Sequence, residues 1–209
     1  MAKTSLAKLW FLVISACALF AVPTSAYVSY NDTYGEFSTG IARVVNVFCF
    51  FTIITNSICA FLSFIYVKRN GKLSQNQITY FFSAVVSIIV VGVVYYLLVA
   101  PTQNLSGISI YTSFIEHTIV PIMFTIGWLI FVPHGVTTTR TVLLALIYPV
   151  GWAIFAMIRG SIVSYYPYSF MDVIYLGYAK ALMNMAGVTA FFLLLFFGAH
   201  LLDKKLGKH

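Results

Sequence analysis

The chain has 209 residues, of which 61% are apolar, 17% are aromatic and only 8% are charged, against about 25% charged in an average soluble domain. So few charges cannot cover a water-soluble fold of this size, which excludes a soluble enzyme or carrier. The net charge is +7, but the basic residues stand singly or in short groups between apolar runs and form no basic patch interleaved with aromatics, which excludes a nucleic-acid binder.

A bilayer span needs about 20 predominantly apolar residues, and in lipid it must be helical because the backbone has no water to satisfy its polar groups. Six such runs follow one another, at about residues 9–30, 44–67, 78–100, 115–132, 142–158 and 181–202. The predicted fold is therefore all-α: a polytopic bundle of six transmembrane helices forming one integral membrane domain over residues 1–209, with no linker dividing it. The first run has a second reading. Lys3 and Lys8, then Leu9 to Val22, then Pro23-Thr24-Ser25-Ala26 also resemble a secretory signal with a small-residue cleavage site. The uncleaved helix is preferred because the apolar character continues to Tyr30.

Lys and Arg gather on one side of these spans. With a cytoplasmic N-terminus, the inner side holds Lys3, Lys8, Lys68, Arg69, Lys72, Arg140, Lys204, Lys205 and Lys208, and the outer side holds Arg43, Arg159 and Lys180. The positive-inside rule then places both termini in the cytoplasm of a cell membrane. Pro101 to Phe114 carries no Lys or Arg and reads as an outer loop. Tyr27, Tyr30 and Tyr34, and later Tyr165, Tyr166 and Tyr168, fall where spans should exit, at headgroup level. Cys17, Cys49 and Cys59 all lie in apolar runs, giving no disulfide framework and no metal-ligand spacing. No metal and no cofactor is expected.

Polar residues inside spans are costly and point to function. On the second span Thr52, Thr55, Asn56, Cys59 and Ser63 recur at helical spacing. A helix contact, with hydroxyls bonded back to their own carbonyls, would also explain that stripe. On the fourth span Glu116 and His117 precede Pro121, which cannot donate to the His117 carbonyl and leaves a backbone acceptor beside an imidazole. If the second span begins at Val44, Thr52 lies about 12 Å below its outer end, deeper than His117 by about 6 Å. Arg159, Asp172, Lys180 and Asn184 fall in the same outer half. A polar cavity open to the outer side would gather Thr52 and His117 with Thr55, Asn56 and Asn184 as candidate substrate-binding residues.

Three segments carry a family resemblance: Phe50-Phe51-Thr52-Ile53-Ile54-Thr55-Asn56, Glu116-His117-Thr118-Ile119-Val120-Pro121 and Tyr166-Pro167-Tyr168-Ser169-Phe170. They resemble the androgen-induced protein family, which includes the androgen-dependent TFPI-regulating protein and short bacterial six-helix relatives. The resemblance implies a membrane threonine hydrolase of fatty acid esters of hydroxy fatty acids, with Thr52 as nucleophile and His117 as its essential histidine. The animal members carry Asp where Thr55 stands, and Glu116 directly before the histidine is a second departure, so the orienting group and the substrate stay open. A Thr hydroxyl needs a base within hydrogen-bond reach, and Asn56, one turn on, is placed to donate to an oxyanion. Glu116 points about 100° away from His117 on a helix and is not expected to complete a triad.

The partners expected are the lipid bilayer and a lipid-like ester; the sequence specifies no protein partner. The alternative is a non-enzymatic membrane protein, either a transporter of a small molecule or lipid or a partner protein, with the polar stripe lining a binding cavity. A transporter would carry polar groups to both faces.

Overall fold

A computed structural model describes residues 2–33 and 35–207, the side chains of Ala2 and Lys3 excepted. Tyr34, Lys208 and the Lys3 side chain, which entered the aromatic and charge patterns above, lie outside what is described. The described residues form a helical bundle with six helices long and apolar enough to cross a membrane. We label the elements α1 (Ala2–Asn31), α2 (Gly40–Val47), α3 (Phe51–Lys68), α4 (Gln75–Thr102), α5 (Ile108–Phe131), α6 (Thr139–Val163) and α7 (Tyr178–Leu206). The polypeptide is a multi-pass membrane protein, with α2 as a short helix before the second span.

The second span differs from its expected course. It does not begin at Val44: the chain leaves α2 at Val47, Phe50 takes an extended conformation (φ −73°, ψ 135°), and α3 starts at Phe51. The Trp152 indole donates to the Cys49 carbonyl (3.0 Å), satisfying a backbone acceptor that the break frees. Thr52 consequently lies in the first turn of its helix instead of about 12 Å along it. The loop expected at 101–114 is also shorter, because α5 begins at Ile108.

The end of the bundle where α3 begins holds Thr52, His117 and Tyr168; the interior of the opposite half is filled with aromatics. Phe11, Phe81, Phe82 and Phe124 are fully buried there. Phe81 and Phe124 stack at 5.5 Å, and Phe11 lies 4.2 Å from the Tyr66 ring. The start of α1 and the end of α7 lie at this aromatic end, since Phe11 packs on Tyr66 and Gly207 abuts Gly135. Lys8, Lys68, Arg69, Lys72, Arg140, Lys204 and Lys205 also belong to it.

α4 and α5 approach closely near the polar end. A methyl group at Gly92 would sit 3.1 Å from the His117 carbonyl oxygen. The His117 carbonyl, to which Pro121 cannot donate, therefore faces the α4 backbone. Both helices open into π-turns at this level: the Ala100 N–H bonds the Tyr95 carbonyl and the Val120 N–H bonds the Ile115 carbonyl.

His134 and His200 form a clasp with the buried Asp203. One carboxylate oxygen accepts from the Thr137 N–H (3.0 Å) and hydroxyl (2.6 Å). The other faces His134 Nδ1 at 3.3 Å, and His200 Nδ1 lies 2.8 Å from the Thr137 hydroxyl. The clasp ties the end of α7 to the α5–α6 loop. Replacing Asp203 with Ala should strand these donors and lower stability by about 2–4 kcal/mol. Thermal unfolding in detergent should show a fall of several degrees, whereas an unchanged midpoint would mean that the clasp contributes nothing.

Candidate functional site

Thr52 and His117 meet. Thr52 Oγ1 lies 3.4 Å from His117 Nε2, at the long end of hydrogen-bond reach, and catalytic contacts often tighten only with substrate bound. The late start of α3, at Phe51, removes the expected difference in depth, because it places Thr52 in the first turn, at the level of His117. Asn56 holds the alignment: its side-chain nitrogen donates to the Thr52 carbonyl (2.9 Å) and to the Glu116 carbonyl (3.1 Å). One amide thus joins the Thr52 turn on α3 to the residue before the histidine on α5.

The imidazole is fixed on its other side. His117 Nδ1 lies 2.8 Å from the Ser113 carbonyl and 3.1 Å from the Ser113 hydroxyl, whose own proton goes to the Tyr95 hydroxyl (2.8 Å). The Tyr95 ring stacks on the imidazole at 3.6 Å with 15° between planes. With acceptors around Nδ1, the proton resides there, and Nε2 turns a bare lone pair toward Thr52.

Tyr168 completes the local network. Its hydroxyl accepts from the Thr52 N–H (3.2 Å), one of the unpaired donors at the start of α3, and lies 3.2 Å from Thr52 Oγ1. The Thr52 proton is the one directed to Nε2, so the tyrosine donates to Oγ1. One run of proton positions satisfies every group: Thr52 N–H to Tyr168, Tyr168 O–H to Thr52, Thr52 O–H to His117, and His117 Nδ1–H to Ser113. Burial pushes the Tyr168 phenol up from its ordinary value, which keeps it a donor. The positive end of the α3 dipole also falls at Thr52.

Two cavities share a wall here. One, of about 230 Å³, is lined almost entirely by apolar side chains of α4, α6 and α7, including Val91, Leu146, Ala153 and Phe192. Val150 and Ile154, also in its lining, are 46% and 56% exposed on the outer surface of α6, so this chamber borders the lipid-facing side. The second, of about 480 Å³, is the more polar of the two: Ser25, Ser29, Gln103, Thr112, Glu116 and Ser169 share its lining with Val28, Phe50, Ile53 and Leu105. Thr52, Val99, His117 and Tyr168 line both.

The three expected substrate-binding residues line neither cavity. Thr55 is fully buried and bonds the Phe51 carbonyl and the Tyr148 hydroxyl, each at 2.7 Å, docking α6 on α3. Asn56 is fully buried, and both of its amide protons are engaged by carbonyls, so it cannot serve an oxyanion. Asn184 donates to the Phe170 carbonyl (2.9 Å) and anchors the loop bearing Tyr168. Glu116 accepts from Ser25 of α1 at 2.8 Å.

Sequence reading missed Tyr168, Ser113 and Tyr95 as parts of the site. Tyr168 stood in a recognisable motif but read only as an interfacial ring. Among the described residues, no group of three His, Cys, Asp or Glu side chains could hold a metal ion. Comparison of the chain with family models, curated proteins and solved structures gives no match.

The tautomer is directly testable. Nitrogen NMR of histidine-labelled protein in micelles, with the His117 signal assigned by its loss in His117→Gln, should show a protonated Nδ1 and a bare Nε2 at neutral pH. A protonated Nε2 would remove the base from Thr52.

Proposed function

We propose that the chain is a membrane-embedded lipid-ester hydrolase in which Thr52 is the nucleophile and His117 the base. The observation that carries this reading is the position of the pair. A hydroxyl within reach of an unprotonated imidazole nitrogen stands in the wall between an apolar chamber and a polar one. An acyl chain fits the first chamber, while the alcohol portion and water fit the second.

The chemistry follows from the hydrogen bonds. Thr52 Oγ1 attacks the ester carbonyl carbon as His117 Nε2 takes its proton. The oxyanion forms beside the Tyr168 hydroxyl, which turns its proton from Thr52 Oγ1 to the developing charge, at the positive end of the α3 dipole. Collapse breaks the bond to the alcohol oxygen, and His117 returns the proton to that leaving group. Water from the polar cavity then attacks the acyl-threonine, gives a proton to His117 and releases the acid, after which the proton returns to Thr52. The Ser113 carbonyl holds the imidazole in the required tautomer without a carboxylate.

This reading agrees with the family that the motifs resemble, and membership of that family is part of the proposal. A transporter needs a path to both faces, and the fully buried Phe11, Phe81, Phe82 and Phe124 fill the opposite half of the bundle. The distribution of Lys and Arg supports placing the aromatic end and both termini in the cytoplasm and the site toward the outer leaflet of a cell membrane.

Two experiments test the reading. Thr52→Ala and His117→Gln should each lower hydrolysis of a long-chain ester at least hundredfold, about 2.7 kcal/mol of barrier, while thermal unfolding stays near that of the parent. Thr52→Ser should retain measurable activity. Full activity in Thr52→Ala would remove the nucleophile. For orientation, in a chain whose native cysteines are replaced by Ala, an impermeant thiol reagent on intact cells should modify Asn104→Cys and spare Asn76→Cys. The reverse pattern would invert the topology.

A further inference from the structure

The polar cavity bears on what lies on the alcohol side of the ester. Its lining combines many hydroxyls, among them Ser25, Ser29, Thr102, Ser109, Thr112 and Ser169, with the carboxyl groups of Glu116 and Asp32. Among the described lining residues there is no Lys or Arg, and His117 is already committed to Thr52 and Ser113. Arg43 bonds the backbone of the neighbouring Ser29, but its guanidinium nitrogens reach the carbonyls of Ser29, Tyr30 and Phe37 at 2.7–3.0 Å. Arg159 bonds Asn46 and lies over the Phe37 ring, away from the cavity wall.

We infer that the site takes acyl esters of an uncharged polyol, of the glycerol type, and discriminates against esters whose alcohol portion carries a carboxylate or phosphate close to the ester bond. The inference rests on the hydrolase reading and names the substrate class of that same site. The hydroxyl protons of Ser25, Ser29, Thr102 and Thr112 go to protein acceptors, so these oxygens remain as acceptors for the O–H donors of a polyol. An anion would enter a cavity with no basic side chain to pair with it and with the acidic Glu116 in its wall. Burying an unpaired charge under those conditions is strongly unfavourable.

Two matched probes isolate the charge: 1-oleoylglycerol and 3-O-oleoylglycerate, in which a carboxylate replaces the terminal CH2OH. Ligand-induced stabilisation of full-length Thr52→Ala, measured by thermal unfolding in detergent, reports binding without turnover. The glycerol ester should bind at least tenfold more tightly, and the wild-type protein should hydrolyse it at least tenfold faster. Glu116→Gln should narrow the gap by weakening discrimination against the anion; Glu116→Asp keeps the carboxyl group should the glutamine variant fold poorly, and should preserve the gap. Equal or tighter binding of the glycerate ester would overturn the inference, as would a tenfold preference for oleoylcholine over the glycerol ester. Should binding favour the glycerol ester while the wild-type protein hydrolyses neither, the hydrolase reading fails and the assignment of the cavity stands.

Discussion

The Asn56 amide sets the geometry of the polar end. A buried amide must have partners, and this one finds two carbonyls on different helices, that of Thr52 on α3 and that of Glu116 on α5. Its two bonds fix the relative height of the helices that carry Thr52 and His117. The remaining contacts refine that register: Ser113 and Tyr95 orient the imidazole, Thr55 brings Tyr148 of α6 against α3, and Asn184 holds the loop that delivers Tyr168.

The same end of the bundle carries the backbone irregularities. α3 starts late, and α4 and α5 pass through π-turns at Tyr95–Val99 and Ile115–Ile119. Irregular backbone at membrane depth persists only where protein groups or a cavity satisfy it, and Trp152 and Tyr168 do so at the α3 break. The opposite half is regular and packed with phenylalanine. The chain thus divides its length between a rigid aromatic half that stabilises the bundle and a polar half that holds the reactive groups.

Much of the fold was legible because apolar runs of spanning length are a strong signal, and all six spans lie where those runs fall. The break before Thr52 was not, because Phe48-Cys49-Phe50 is apolar and reads as continuous helix. What interrupts it is tertiary, an indole from α6 and a phenol from a distant loop. The polar stripe on α3 was visible, but its division of labour was not. Spacing shows that Thr52, Thr55 and Asn56 share a region of one helix; only packing distinguishes the hydroxyl that faces the cavities from the two side chains that brace neighbours. Tyr168 was obscured for the same reason, since a tyrosine at a span end has an ordinary explanation as an interfacial anchor. The Asp203 clasp joins residues 66 positions apart, a separation at which sequence gives no indication of contact.

The central claim is that Thr52 forms a covalent acyl intermediate. The most direct measurement is peptide-level mass spectrometry of the purified protein after brief reaction with a long-chain β-lactone, which acylates an activated hydroxyl and leaves no separate leaving group. The account predicts a single stoichiometric adduct on Thr52 that disappears in His117→Gln. An adduct on Ser113 or another hydroxyl with Thr52 unmodified, or labelling of Thr52 that is indifferent to His117, would contradict it.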